Sequence, residues 1–173
     1  PAQVVREGLT TNYIYDAQGK MLTRTETDTT THTVPYSTNG QARTWTYDWS
    51  PTGRLLSING PKAAVGSEDD VVTFTYSPQG NLLTSTNGLG QITTFAGHDA
   101  NGRPATMTDA NGILTAFTYD ALGRATAINV KHPTIATNDA VTAIEYDAQD
   151  RVIGVTAPGT DKLIMDYDVA GQL

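Results

Sequence analysis

The sequence predicts an all-β protein built from repeated antiparallel hairpins. The chain of 173 residues contains 29 threonines, 8 tyrosines and 16 glycines, which are residue types typical of pleated strands and tight turns. Short segments alternate between apolar and polar residues with period two, and each segment ends at turn residues. A unit of this form recurs about seven times, and no stretch of ten residues keeps an uninterrupted helical spacing.

The clearest unit covers residues 113–128. Asp120 opens a four-residue turn, because its carboxylate can accept a hydrogen bond from the backbone N–H two residues on, and Gly123 closes the turn because glycine tolerates a positive φ. Arg124 begins the second arm. The first arm alternates, and on one face it places Ile113, Thr115, Phe117 and Tyr119.

The other six units follow the same pattern along the chain. A turn pair or a short loop connects each unit to the next, as Asn39-Gly40 does before the second unit. The predicted turns of the seven units cover residues 16–20, 50–54, 77–81, 99–103, 120–124, 147–151 and 168–171.

Four departures from the regular unit carry expectations of their own. Residues 23–29 alternate strictly between threonine and charged residues, which predicts a long and partly solvated strand. Residues 61–70, with Gly66 and Glu68 to Asp70, are expected to form a surface insertion, and residues 129–140 an irregular stretch. Asp150 takes the place of a turn glycine, which predicts a conformational cost if that position is left-handed.

The recurring positions define a repeat of about 21 residues, lengthened where loops are inserted. Self-similarity of this kind is typical of arrays in which each unit packs on its neighbours. We therefore expect residues 1–173 to form a single array, as a piece of a longer chain. The structural repeat aromatics are Tyr15, Trp49, Tyr76, His98, Tyr119, Tyr146 and Tyr167. The structural turn residues are Asp16, Gly19, Gly53, Gly80, Asp99, Gly102, Asp120, Gly123, Asp147, Asp168 and Gly171.

Charge and composition argue against several functions. The formal net charge of −7 and pI of about 4.7 argue against nucleic-acid binding, which requires clustered Lys and Arg. The absence of cysteine excludes a disulfide framework and a thiolate zinc site. No apolar run approaches the roughly 18 residues that a membrane span requires.

The sequence shows no catalytic or metal-binding constellation, and we predict neither an enzyme nor a cofactor. Acid–base catalysis needs paired carboxylates with shifted pKa values, whereas the Asp residues here recur once per turn. His32, His98 and His132 lie far apart and lack ligand spacing. Asp99 and Asp109 each begin an Asp-x-Asn-Gly sequence that resembles part of a calcium loop, but the distal Glu is missing.

The tyrosines allow two interpretations. Their rings could be platforms on which sugars stack, or they could pack between neighbouring hairpins with the hydroxyl directed at a backbone group or water. Regular recurrence favours packing, since a binding site is usually a local constellation.

Several segments together resemble the RHS family, whose units are also called YD repeats. The resemblance rests on Tyr-Asp-Ala-Leu-Gly-Arg at 119–124, on Thr-Asp-Ala-Asn-Gly at 108–112, and on the Tyr-Asp turns that begin at Tyr15, Tyr146 and Tyr167. It implies a long antiparallel sheet that spirals into a hollow shell around a variable C-terminal toxin domain. The self-cleavage found in such proteins needs an Asp-Pro element, which this sequence lacks.

The resemblance also sets expectations about partners and location. The expected partners are further RHS repeats, a C-terminal toxin domain of the parent chain and secretion-system components. The expected location is secreted, at the cell surface or delivered from bacteria. The alternative is a carbohydrate-binding or cell-surface adhesion module. Open sheet edges predict edge-to-edge association between copies of the chain.

Overall fold

The structure, a computed structural model, describes residues 2–33, 36–61, 70–135 and 139–173. These residues form fourteen β-strands and no helix. Within each of the two units described below, neighbouring strands pair antiparallel and follow one another in the sheet as they do in the sequence. The prediction of an all-β fold of repeated antiparallel hairpins is confirmed.

The chain divides into two compact units, Pro1–Ile92 and Thr93–Leu173. The first unit is a meander of seven strands, in which each strand pairs with the next. Its strands are β1 (Gln3–Arg6), β2 (Leu9–Tyr15), β3 (Met21–Asp28), β4 (Ala42–Trp49), β5 (Leu55–Asn59), β6 (Val72–Tyr76) and β7 (Leu82–Thr86).

The second unit is also a meander of seven strands, the first of which begins at the boundary between the units. Its strands are β8 (Ile92–Ala96), β9 (Thr106–Thr108), β10 (Leu114–Tyr119), β11 (Ala125–Val130), β12 (Ala140–Tyr146), β13 (Val152–Thr156) and β14 (Lys162–Ile164).

A β-bulge marks the tip of five hairpins. In the hairpin of β10 and β11, Thr118 pairs with Ala127 but Tyr119 pairs with Ala125, so one residue of β11 is left out of register. The same shift occurs just before Tyr15, Trp49, Tyr76 and Tyr146. A bulge bends its strand and redirects the adjacent side chain. The aromatic residue at each of these tips therefore sits at a redirected position.

No hydrophobic side chain within the described ranges is buried. The four buried residues there are the polar Thr11, Glu26 and Thr115 and the glycine Gly154. A single layer of strands has two solvated faces, so it cannot enclose apolar side chains as two packed layers do. The cohesion of each unit therefore depends on backbone pairing and on contacts between neighbouring hairpins.

The strand boundaries correct several expectations. Asn129 and Val130 belong to β11, because they pair with Val141 and Ala140 of β12. The irregular stretch therefore begins only at residue 131.

Strand β8 is shorter than the repeat pattern predicts. It ends at Ala96, because the next residue, Gly97, takes a φ of 66°, so His98 does not continue the alternation of the strand. Most of the predicted insertion, residues 62–69, lies outside the described residues, as does Asn138.

The strand expected from residues 23–29 is formed by β3, which spans eight residues. The face that carries its charged residues is not simply solvated, because Glu26 is buried between the guanidinium groups of Arg24 and Arg43. Pairing with arginine on both sides is what permits a carboxylate to lie there.

The turn between β13 and β14 contains a strained residue. Thr160 has a φ of 80°, in the left-handed region that a β-branched residue rarely adopts. We expect Thr160→Gly to stabilise the second unit by about 1 kcal/mol, because glycine removes this strain. Urea unfolding of the two proteins measures the difference, and an unchanged or lower stability would contradict the assignment of strain.

Candidate functional site

The hairpin tips share one pattern of hydrogen bonds. At the tip of β10 and β11, the Asp120 Oδ1 atom accepts from the backbone N–H of Leu122 at 3.0 Å and of Arg124 at 2.9 Å. The backbone N–H of Gly123 donates to the Asp120 carbonyl at 3.0 Å, which closes the turn. The first residue of the turn thus satisfies donors that the tip would otherwise expose.

The other tips use the same arrangement with small variations. Asp16, Asp99, Asp147 and Asp168 accept the same two backbone N–H groups through Oδ1. Ser50 and Ser77 accept only the second of them, through Oγ. The fourth turn residue has a positive φ at Gly19, Gly53, Gly80, Gly102, Gly123, Asp150 and Gly171.

The redirected aromatic side chain at a tip reaches back to the hairpin before it. Tyr146 at the sixth tip donates its hydroxyl to the backbone carbonyl of Ala125, the residue that follows the fifth turn, at 2.9 Å. The same bond links four other pairs: Trp49 Nε1 to Met21 (2.8 Å), Tyr76 to Leu55 (2.8 Å), Tyr119 to Pro104 (3.0 Å) and Tyr167 to Val152 (2.9 Å). Each such bond fastens one hairpin to its predecessor.

Arginine adds a second connection in the second unit. The last residue of a turn there is an arginine whose Nε donates to the turn Asp at 2.7 Å. Its guanidinium also lies over the tyrosine ring of the following hairpin, a geometry that favours a cation–π interaction. The pairs are Arg103 over Tyr119 at 5.1 Å, Arg124 over Tyr146 at 4.5 Å and Arg151 over Tyr167 at 4.5 Å from the ring centroid. We call these ring bonds and arginine contacts the tip ladder.

From the sequence, Arg124 was placed only at the start of a second arm, and no arginine of the tip ladder was predicted to contact a neighbouring hairpin. The available signal was their recurrence directly after the turn glycine, at positions 54, 103 and 124, and after Asp150 at position 151. Spacing shows that the position recurs, but it does not show that the side chain reaches the next hairpin.

Asp150 has a distinct place in the tip ladder. It stands where the other tips have glycine, with a φ of 65°, and its Oδ1 accepts from Arg124 Nη1 at 2.7 Å. At the fifth tip the equivalent position is Gly123, and the guanidinium of Arg103 occupies the space that a Cβ there would need. The residue at this turn position therefore either leaves room for the preceding arginine or binds it.

Two of the predicted aromatics stand apart from the tip ladder. Tyr15 is 45% exposed, and its ring stacks on Tyr13 with centroids 6.4 Å apart. His98 follows the end of β8, and it makes no hydrogen bond or ring contact with other described residues.

Three tip carboxylates, those of Asp99, Asp120 and Asp147, have a pKa lowered by their hydrogen bonds. Hydrogen bonds from the backbone and side chain of Arg103 lower the pKa of Asp99. At Asp120 and Asp147 partial burial raises the pKa, but hydrogen bonds from Arg124 and Arg151 outweigh it, so both pKa values lie below the ordinary value. The Asp120 carboxylate in turn raises the pKa of Arg124.

These shifts predict acid sensitivity in the second unit. A group whose pKa is lowered by folding stabilises the folded state above its unfolded pKa, about 3.9 for Asp, and loses that contribution as the pH falls through the folded pKa. We expect stability to be nearly constant from neutral pH to about pH 5 and to decline below about pH 4. Urea unfolding at a series of pH values measures this, with the Asp99→Asn, Asp120→Asn, Asp147→Asn triple variant as the control. An identical pH dependence in that variant would contradict the assignment.

The polar side-chain groups of the tip ladder already have partners. The carboxylates of Asp99, Asp120 and Asp147 are paired with arginines. The tyrosine hydroxyls and the Trp49 N–H donate to backbone carbonyls. Among the described residues, no group of three or more His, Asp and Glu side chains could hold a metal ion. Within the same ranges, no helix is long and apolar enough to cross a bilayer.

The fold and the tip ladder together define a repeat protein of fastened β-hairpins. Comparison with protein families gives one match, the RHS Repeat family, over residues 76–113 and 98–130. The predicted turns at 77–81, 99–103 and 120–124 lie within the matched residues.

Solved structures of toxin complexes are similar to the chain. Chains in the crystal structures of TcdB2-TccC3-Cdc42 and TcdB2-TccC3 match with 17% and 16% identity and TM-scores of 0.45 and 0.42. The matches cover 100% and 97% of this chain and 12% of each of those chains. A chain of the Photorhabdus luminescens Tc holotoxin pore matches with 17% identity and a TM-score of 0.38, over 91% of this chain and 11% of that chain. No curated protein sequence matches the chain.

Proposed function

We propose that the chain is a structural wall segment of an RHS-repeat shell that encloses a C-terminal toxin domain and helps to deliver it. The observation that carries the proposal is the tip ladder. It fastens the second, third, fifth, sixth and seventh hairpins each to its predecessor through the ring bonds. The last three of these hairpins, in the second unit, also have the arginine contacts. Units joined in this way can be extended indefinitely, as a wall requires.

The lack of buried apolar side chains in the described ranges supports the same proposal. An independent globular domain of this length normally buries a hydrophobic core, whereas a single-layer wall leaves both faces of its sheet accessible. In this role the repeat aromatics and turn residues are structural, and the segment performs no catalysis and needs no cofactor. Residues 1–173 then form one array of about seven repeats within the parent chain.

The same proposal assigns the partners and the location. The partners are further RHS repeats, the toxin domain and components of a secretion system, and the parent protein is secreted, displayed or delivered by bacteria. Until further repeats cover them, the outer edges of β1 and β14 are available for pairing between copies of the chain.

The alternative function, carbohydrate binding or adhesion through the repeat tyrosines, is disfavoured by one observation. The rings of Tyr119, Tyr146 and Tyr167 each lie beneath an arginine guanidinium, and their hydroxyls are engaged by carbonyls. A ring occupied in this way does not offer that face to a sugar.

Protease protection of the parent protein tests the shell. The full reading frame is expected to contain further Tyr-Asp repeats followed by an unrelated C-terminal domain. In the intact protein that domain should resist protease for much longer than the same domain expressed alone. Equal cleavage rates, or a frame without further repeats, would overturn the proposal, because seven hairpins cannot enclose a folded domain.

A further inference from the structure

Two turns of the second unit contain the sequence Asp-Ala-Asn-Gly, and both have the same geometry. One is the fourth tip, residues 99–103, and the other is the return turn between β9 and β10, residues 109–113. In each turn the Asp Oδ1 accepts the backbone N–H of the Asn and of the residue after the glycine. The glycine N–H donates to the Asp carbonyl at 3.0 Å. Asn101 and Asn111 therefore occupy the third position of matching turns, directly before a glycine of positive φ.

The side chains of Asn101 and Asn111 are the unrestrained part of these turns. Both residues are exposed, and neither side-chain amide makes a hydrogen bond with another described residue. Each amide carbon is therefore free to rotate toward the backbone nitrogen of the next residue. Glycine has no Cβ, so Gly102 and Gly112 place no side chain of their own in the way of that approach.

A third Asn-Gly pair, which begins at Asn87, has its side chain held in place. Asn87 occupies the first position of a turn of the same type, residues 87–91. Its Oδ1 accepts the backbone N–H of Leu89 at 3.1 Å and of Gln91 at 3.0 Å, and its Nδ2 donates to the Gln91 side chain at 2.7 Å. Rotation of this amide toward Gly88 requires that all three bonds break.

We propose that Asn101 and Asn111 are sites of spontaneous conversion to isoaspartate, with water as the co-reactant. The backbone nitrogen of the glycine loses its proton and attacks the side-chain amide carbon, so that a new N–C bond forms. The bond from that carbon to the amide nitrogen breaks, and the nitrogen leaves as ammonia with the added proton. Water then opens the cyclic imide at one of its two carbonyls, which gives aspartate or isoaspartate. This modification goes beyond the wall function and does not depend on it.

Conversion at Asn101 weakens the tip ladder. Isoaspartate inserts an additional CH2 into the main chain between Asp99 and Arg103. The Asp99 carboxylate accepts the Arg103 backbone N–H at 3.0 Å and its Nε–H at 2.7 Å, and the longer turn no longer fits both bonds. The guanidinium is then not held over Tyr119, where its distance to the ring centroid is 5.1 Å. The turn that contains Asn111 has no arginine, so conversion there leaves the tip ladder unchanged.

Incubation of the 173-residue chain at mildly alkaline pH tests the proposal. Fragmentation of its peptides in a mass spectrometer assigns each conversion to a residue, and chromatography separates isoaspartate from aspartate. The attack breaks one hydrogen bond at Asn101 and Asn111, that of the glycine N–H, but three at Asn87. We expect Asn101 and Asn111 to convert about tenfold faster than Asn87. Equal rates at the three residues overturn the proposal.

The same chain unfolded in urea provides the matched control. All three residues precede glycine, so without the turns they should convert at similar rates. If Asn87 stays about tenfold slower in urea, its hydrogen bonds in the folded turn are not the cause, and the proposal is overturned.

Two variants test the effect on the tip ladder. Asn101→Gln and Asn111→Gln each remove one reactive site, because glutamine would have to close a larger and less favourable ring. After prolonged incubation, the ring resonances of Tyr119 should change in Asn111→Gln, which still converts at Asn101, and stay unchanged in Asn101→Gln. The same behaviour of Tyr119 in both variants overturns the effect on the tip ladder.

Discussion

Replacing Gly123 by valine is expected to destabilise the second unit by about 1.5–3 kcal/mol. Gly123 has a φ of 89°, and a left-handed conformation costs a side chain with a Cβ about 1–2 kcal/mol. The added Cβ would also collide with the guanidinium of Arg103, which lies over Tyr119. Displacing that guanidinium removes a cation–π contact of about 0.5–1 kcal/mol.

The chain offers a matched control at Gly112. This glycine has a φ of 80°, in the return turn between β9 and β10, and no atom lies within 4 Å of the position its Cβ would take. Gly112→Val should therefore cost only the backbone strain, about 1–2 kcal/mol. Urea unfolding followed by amide hydrogen exchange measures both variants. Equal destabilisation would contradict a role for the arginine contact.

A double-variant cycle isolates that contact. In an Arg103→Ala background the guanidinium is absent, so the difference between Gly123→Val and Gly112→Val should shrink toward zero. If the difference persisted, some cause other than Arg103 would have to explain it.

Tyr146→Ala is expected to lower the stability of the second unit by about 2–3 kcal/mol. The half-buried ring of Tyr146 lies beneath Arg124, and its hydroxyl bonds to Ala125. Truncating a fully buried aromatic side chain to alanine lowers stability by about 3–5 kcal/mol. The ring of Tyr146 is only half-buried, so its truncation should cost less. The loss should be local, since Tyr146 fastens the sixth hairpin to the fifth. Amides of β12 and β13 should exchange faster than those of β8 and β9.

Tyr146→Phe separates the hydroxyl from the ring. Phenylalanine keeps the aromatic face under Arg124 but leaves the Ala125 carbonyl without its donor, so a cost of about 1 kcal/mol is expected. Tyr36 is 69% exposed, and Tyr36→Phe should change stability by less than about 0.5 kcal/mol. Equal effects of the two Phe variants would show that the bond between hairpins does not stabilise the fold.

Residue pattern and local chemistry were sufficient for the architecture. Period-two alternation of β-branched and aromatic residues, broken by Asp-x-x-Gly turns, predicts antiparallel hairpins in sequence order, and the structure contains them. This prediction succeeds because hairpin pairing depends on residues close together in the sequence. It was less accurate at strand ends: Asn129 and Val130 extend β11 because β12 offers them partners, and Gly97 stops β8 before His98.

The contacts between hairpins were decided only by the tertiary structure. The sequence by itself determined where each tip lies and which residue types stand there: an Asp or Ser, a glycine, an aromatic. It did not determine that Arg124 would lie over Tyr146 and bind Asp150, nor that Glu26 would be buried between two arginines. Those contacts join residues on different strands, and their geometry depends on register, bulge and side-chain direction across the sheet. Local alternation specifies which residues share a face of a strand, but only the folded sheet brings them within reach of one another.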